Sequence, residues 1–292
     1  MGDFVETSFT IADRWVNYRA SKLDLTISPQ DDMLEPGQLQ HYLASGTSGL
    51  EVISEAMLLA RRSSFSSVLD VPCGYGRTTR HLVNFFSDAE VFVSEIDKAK
   101  QDFCSRTFGA QPIDLPPNFV GTPPRLFELI FVGSLLTHLN AALSINALVY
   151  LLKSLSEGGL LVFTTHGRHA TVCADERGHL LPRTLRAFMQ RGFGYEGSPT
   201  YGDSRMAPSW ILRTLECVSD ARVIGHKERG WHDFQDVFVI ERATAWTRAR
   251  PARSRWLHLK AILPDLPVDY RGRRAWRRAR RALRRLREPP TR

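Results

Sequence analysis

The sequence predicts an α/β protein built on a doubly wound, mostly parallel sheet with one antiparallel edge hairpin. Three observations carry that expectation. Short apolar runs alternate with stretches of helical periodicity between residues 67 and 165, the pattern of parallel strands joined by right-handed crossovers. The first run ends in a glycine-rich turn, Pro72-Cys-Gly-Tyr-Gly76. Beyond residue 220 two apolar stretches are separated only by Arg229-Gly-Trp-His-Asp-Phe-Gln235, which suits a hairpin.

In chain order, residues 1–37 are mixed and polar and form an N-terminal segment. Helical periodicity begins at Gln38 and runs to Arg62, with Leu39, Tyr42, Leu43, Leu50, Ile53, Met57 and Leu58 at three- and four-residue steps. Ser67–Val71 then reads as a strand and Arg77–Phe86 as a helix, Val91–Glu95 as a strand and Asp97–Phe108 as a helix. Phe127–Val132 and Gly158–Thr165 are the next strands, with a helix over His138–Leu155 between them. A helix is expected over Leu180–Arg191 and a Gly-, Tyr- and Pro-rich loop over Gly192–Ser209. Ala221–Glu228 and Asp236–Glu241 close the domain as the hairpin. The boundaries drawn are 1–37, 38–246 and a basic, partly helical tail at 247–292.

Charge is unevenly spread. Residues 247–292 hold 16 Lys and Arg against 3 Asp and Glu, leaving 23 against 28 in residues 1–246. The body is mildly acidic, which argues against a nucleic-acid substrate, since such enzymes carry positive charge around the catalytic mouth. The four cysteines, Cys73, Cys104, Cys173 and Cys217, show no CxxC spacing and read as reduced thiols of a cytoplasmic protein. His166-Gly-Arg-His169 lacks companion ligands at a metal-site spacing, so no metal is expected. Met1-Gly-Asp-Phe-Val-Glu-Thr has neither a basic nor an apolar leader region, and no apolar run is long enough to span a bilayer.

The chemistry begins at the first strand. Asp70 ends it, and Gly74 and Gly76 form the turn into the next helix, where a missing Cβ lets backbone approach a ligand and helix N–H groups face ligand oxygens. Glu95 ends the second strand 19 residues after Gly76, placed to accept the hydroxyl hydrogens of a ribose. A nicotinamide dinucleotide is the competing ligand. Its fingerprint wants a third small residue where Thr79 stands, and Asp70 would oppose a diphosphate while tolerating a cationic methionine moiety.

With these residues in place, Val68-Leu-Asp-Val-Pro-Cys-Gly-Tyr-Gly-Arg77 resembles the first motif of class I S-adenosylmethionine-dependent methyltransferases, with Pro72 where many members have a glycine. Phe127-Glu-Leu-Ile-Phe-Val-Gly-Ser-Leu-Leu-Thr-His138 and Leu155-Ser-Glu-Gly-Gly-Leu-Leu-Val-Phe163 are similar to the motifs of the fourth and fifth strands. The resemblance spans about residues 40–241 and implies a seven-stranded sheet. It also implies S-adenosylmethionine as cofactor, bound by Asp70, Pro72, Cys73, Gly74, Gly76 and Ser134, with Glu95 on the ribose and Ile96 and Asp114 at the adenine. Tyr42 is read either as a lid over the methionine end or as a core residue. Gly133–His138, Thr164-Thr-His-Gly-Arg168, Pro208-Ser-Trp210 and Arg229-Gly-Trp231 resemble a bacterial subgroup that often accompanies glycosyltransferases, which implies a small-molecule or glycan acceptor.

Methyl transfer to an O or N atom needs alignment and, for a hydroxyl, a proton acceptor. His138 and His166, after the fourth and fifth strands, and Asp236, at the hairpin, are the candidates at the C-terminal sheet edge. Trp210, Trp231, Tyr195 and Tyr201 are candidates for an apolar wall, or for plain packing. Base-amino methyltransferases carry Asn/Asp-Pro-Pro-aromatic where this chain has Gly133-Ser-Leu-Leu, and cytosine-C5 enzymes carry Pro-Cys at that place rather than in the first motif. The alternative function is a catalytically silent cofactor-binding partner protein. In the tail, Arg273–Arg287 sets Ala, Trp and Leu on one helical stripe among arginines, which leaves open contact with an anionic membrane or acidic partner, RNA contact, or a solvated tail.

Overall fold

The computed structural model describes residues 10–218 and 220–243; the basic tail lies outside them. The main sheet has seven strands: β1 (Ser67–Asp70), β2 (Glu90–Val93), β3 (Gln111–Pro112), β4 (Phe127–Val132), β5 (Leu155–Thr165), β8 (Ala221–Trp231) and β9 (Gln235–Arg242). Their order is β3-β2-β1-β4-β5-β9-β8. The first five are parallel, and β9 runs antiparallel to both β5 and β8. β8 therefore points the same way as β5, and the turn at residues 232–234 reaches the C-terminal edge of the sheet. This is the doubly wound, mostly parallel sheet with an edge hairpin that the alternation predicts.

Apolar side chains on both faces mark β1, β4 and β5 as interior strands. From Leu129 onward, alternate residues of β4 separate to the two faces. Leu129 and Phe131 pack with Leu50, Ile53, Met57 and Leu82 of α2 (Leu39–Ala60) and α3 (Thr79–Phe85). Ile130 and Val132 pack with Leu148, Leu151, Trp210 and Ile211 of α5 (Ala141–Lys153) and α8 (Pro208–Leu215). The remaining helices are α1 (Ile11–Ala20), α4 (Lys98–Phe108), α6 (Arg168–Glu176) and α7 (Pro182–Arg191).

Capping chemistry sets several boundaries. Asp97 accepts from Ala99 N–H to start α4, and Gly109 closes it in the left-handed region at φ +72°. Asn140 caps α5 by accepting from Leu143 N–H, so this helix begins at Ala141 and not at His138. His138 instead ends a short 3-10 turn, Leu136–His138.

The largest departure from expectation lies in residues 192–209. They hold a second, two-stranded sheet, β6 (Phe193–Gly197) with β7 (Gly202–Met206), followed directly by α8. A side chain on Gly197 would meet Gly202 Cα at 2.4 Å, so the glycines that suggest a loop are what lets the hairpin strands close. Met206 N–H donates to His166 O at 2.9 Å, docking β7 at the end of β5.

The N-terminal segment is fastened to the glycine turn. Arg80 donates to the carbonyls of Asp24 and Thr26, both at 3.1 Å, and Tyr75 Oη donates to Gln30 at 3.1 Å. Tyr42 Oη donates to Asp31 at 2.6 Å. Further back, buried Arg14 of α1 pairs with Asp88 at 2.6 Å. No helix of the described residues is long and apolar enough to cross a membrane.

Candidate active site at the carboxyl edge of the sheet

Asp70, the glycine turn, Glu95, Ser134 and His166 all lie at or just beyond the carboxyl ends of parallel strands of the main sheet. The β1–α3 turn is fixed from within. Cys73 N–H donates to Ser94 O at 3.1 Å, while the Cys73 and Cys104 thiols both donate to Gly74 O, at 3.4 and 3.3 Å. Cys73 thus serves loop shape rather than offering polar contacts to a ligand, and Pro72 has no N–H to give. The neighbouring Cys104 thiol and burial both push the Cys73 thiol upward, so it stays protonated.

The two glycines differ in kind. Gly76, at φ +80°, would thrust a Cβ to 2.3 Å from the Phe108 ring, so it lets α4 close on the turn. Gly74, at φ +51°, would place its Cβ in open space. Glu95 accepts from Gly74 N–H at 3.1 Å and from Ile96 N–H at 2.8 Å, and each carboxylate oxygen keeps a further lone pair. Beside it Ile96 is 79% exposed, an apolar shelf standing in water. Open backbone, a free acceptor and an apolar shelf in sequence fit the ribose and adenine of a nucleoside cofactor. Asp114 fits less directly, because it is engaged with Lys98, whose hydrogen bond holds its carboxyl below the usual range.

Asp70 is 1% exposed and accepts from Thr79 Oγ1 at 2.7 Å. Burial raises its pKa to about 7, against that hydrogen bond. A cation beside it would draw the proton off.

Across the edge, Ser134 stands in the left-handed region at φ +61°. Its N–H donates to Thr164 Oγ1 at 2.9 Å, Thr164 donates to Gln235 at 2.6 Å, and Gln235 returns a bond to Ser134 Oγ at 2.7 Å. The ends of β4, β5 and β9 are tied by this triangle, which occupies the Ser134 side chain.

His166 has a side chain 15% exposed, with Nδ1 at 3.1 Å from Asp203 Oδ1 and 2.8 Å from Arg205 Nη1. Asp203 and Arg205 also pair with each other. Burial lowers the His166 pKa, more than Asp203 restores it, so the ring is neutral near pH 7. With its proton on Nδ1 the ring donates to Asp203 and keeps a lone pair on Nε2; with the proton on Nε2 it accepts from Arg205 and offers no base. Asp203 and Arg205 lie on β7, which is why sequence reading missed them: a strand taken for loop gives no reason to place them beside His166.

His138 donates from Nδ1 to Gly202 O at 2.9 Å and stacks on Tyr201 with centroids 4.7 Å apart. Asp236 is not at the surface. It is 0% exposed, accepts from Arg229 N–H at 3.1 Å and packs on Gly167, where a Cβ would fall 1.8 Å from its Oδ2. It shapes the hairpin and the start of α6 and has no exposed surface with which to meet a substrate. Among the aromatic residues, Trp210 packs on Phe193 within the core, and Trp231 is buried with its Nε1 donating to Ser45 O at 3.0 Å. Tyr201 is exposed. Tyr42 is buried and borders a cleft of about 400 Å³ lined by Met33, Glu35, Gln38, His41, Tyr42 and Arg77. His41 Nδ1 lies 3.2 Å from Nε2 of His232, a pairing across 191 residues that no local pattern announces.

No protein-family model matches the chain, and no curated protein matches its sequence. Solved structures do match its fold. CalS10 from Micromonospora echinaspora, described as an amino pentose methyltransferase with bound S-adenosylmethionine, is 12% identical with a TM-score of 0.50 over 73% of this chain and 100% of its own. The PH0226 protein from Pyrococcus horikoshii is 12% identical with a TM-score of 0.51 over 74% of this chain and 96% of its own. The strand order, the edge hairpin and these matches agree: the chain has the fold of the class I S-adenosylmethionine-dependent methyltransferases.

Proposed function

We propose that this protein transfers a methyl group from S-adenosylmethionine to an oxygen or nitrogen atom of a small metabolite or glycan precursor. The observation that carries the reading is the meeting, at one sheet edge, of a glycine turn open at Gly74 beside Glu95 and Ile96 with a mostly buried neutral histidine backed by Asp203. The bound cofactor would supply a methyl group already activated on a sulfonium, so the protein's share is alignment and proton handling.

Glu95 would hold the ribose hydroxyls, Ile96 would carry the adenine, and the backbone around Gly74 would take the methionine end. Asp70, buried beneath the turn, would favour that cationic end through its charge rather than by contact. His166, in the tautomer that donates to Asp203, takes the acceptor's proton on Nε2. His138, its Nδ1 committed to Gly202, is the second proton acceptor within the same wall. Asp203 is a positioning residue that acts through His166.

The test is methyl transfer from labelled S-adenosylmethionine to a panel of amino sugars and sugar nucleotides. His166→Ala is expected to lose at least a hundredfold in turnover, the scale of general-base catalysis, while binding S-adenosylhomocysteine within about twofold of wild type. Unchanged turnover would remove His166 from the mechanism.

A further inference from the structure

One cation at the site has no hydrogen-bonded counterion among the described residues. Arg77 follows the glycine turn directly, is half-buried, and makes no side-chain hydrogen bond to any described residue. Its guanidinium lies over Trp231, 5.5 Å from the ring centroid, and that ring is fixed through Nε1 to Ser45. The two acids whose charge it feels are both engaged elsewhere: Asp31 accepts from Tyr42 and Asp70 from Thr79. A guanidinium stays protonated at any working pH, and a partly desolvated charge without a bonded partner is costly. Arg77 lines the cleft of about 400 Å³ together with His41 and Gln38, near the lower end of volumes that take small ligands.

We infer that this cleft is a subsite for an oxyanion, a carboxylate or phosphate carried by the acceptor, with Arg77 as its bidentate receptor. The assignment to the acceptor rests on the methyl-transfer reading. It follows from position: Asp70, Gly74, Glu95 and Ile96, which form the cofactor cradle, are not among the cleft's lining residues. Gln38 and His41 add polar groups to the lining, and exposed Glu35 disfavours a ligand anionic along its whole length. The acceptor would then be a small molecule with one anionic end and a nucleophilic hydroxyl or amine at the other.

The experiment titrates the full-length protein by calorimetry with D-glucuronate, inorganic phosphate and neutral D-glucose, each with and without saturating S-adenosylhomocysteine. Arg77→Gln and Arg77→Lys are measured alongside, with thermal melts as folding controls. Wild type is expected to bind one of the anions and not glucose. Arg77→Gln should weaken that anion at least tenfold, the size of one lost charge-assisted contact, with Arg77→Lys in between and the S-adenosylhomocysteine Kd unchanged. Preference between glucuronate and phosphate identifies the anion. Equal anion binding by wild type and Arg77→Gln would overturn the subsite, as would absence of anion binding by wild type. Loss of S-adenosylhomocysteine binding in a folded Arg77→Gln would assign Arg77 to the cofactor instead. Failure of wild type to bind S-adenosylhomocysteine at all would contradict the methyl-transfer reading and is read in a separate titration.

Discussion

At the scale of single residues, two glycines two positions apart do different work. Gly76→Ala meets the Phe108 ring at 2.3 Å in a backbone region hostile to side chains, so it should unfold the turn and lower the melting temperature sharply. Gly74→Ala meets no neighbour. It should cost only about 1 kcal/mol of backbone strain yet weaken S-adenosylhomocysteine at least tenfold, because the new methyl occupies ligand space. Calorimetry and thermal melts on both variants separate the two roles, and equal binding by Gly74→Ala and wild type would refute the cradle. Asp203→Asn should lower turnover more than cofactor affinity, since the amide cannot hold the His166 Nδ1 proton as a carboxylate does. A pH–rate profile unchanged by that substitution would show that Asp203 does not act through His166.

At the scale of elements, legibility followed periodicity. The turn Asp70–Gly76, the acid at Glu95 and the strand Phe127–Val132 could be read because a buried parallel strand is a continuous apolar run and its exit needs glycine. The β6–β7 hairpin could not. Its strands are five residues each, Phe193–Gly197 and Gly202–Met206, and carry Glu196, Asp203 and Arg205, so neither alternation nor hydrophobicity marks them. The burial of Asp236 was illegible for a related reason. The sequence shows a carboxylate at an edge turn but not that Gly167, lacking a Cβ, lets the carboxylate sink beneath the surface. Trp231 ends β8 with 3% exposure under Arg77. Trp231→Ala should cost about 3–5 kcal/mol of stability and free the 232–234 turn, measurable by denaturant unfolding.

At the scale of the whole molecule, two buried groups couple folding to pH with opposite sign. His81 is 1% exposed, and burial, then Arg80, lowers its pKa to about 4 from 6.5. The unfolded chain binds its proton first, so this contribution to stability is complete above pH 6.5 and is lost as pH falls toward 4. Asp70 is raised to about 7 from 3.8, so the native state holds that proton longer and stability from this group rises as pH falls from about 7 toward 4. Each pKa unit is worth about 1.4 kcal/mol, and in the wild type the two contributions largely offset. Asp70→Asn should therefore make stability fall between about pH 6.5 and 4, and His81→Gln should make it rise over the same range. Identical pH profiles for all three proteins would show that neither group titrates as its burial requires.

The proposed cofactor site stands at the centre of all three scales, and Glu95 is the polar contact proposed for the ribose. The most direct measurement is calorimetric titration of S-adenosylhomocysteine into wild type and Glu95→Ala. Wild type should bind at one site per chain, with Glu95→Ala weaker by at least tenfold while its melting temperature stays near that of wild type. Absence of binding by the folded wild-type protein, or equal binding by both, would contradict the proposed site.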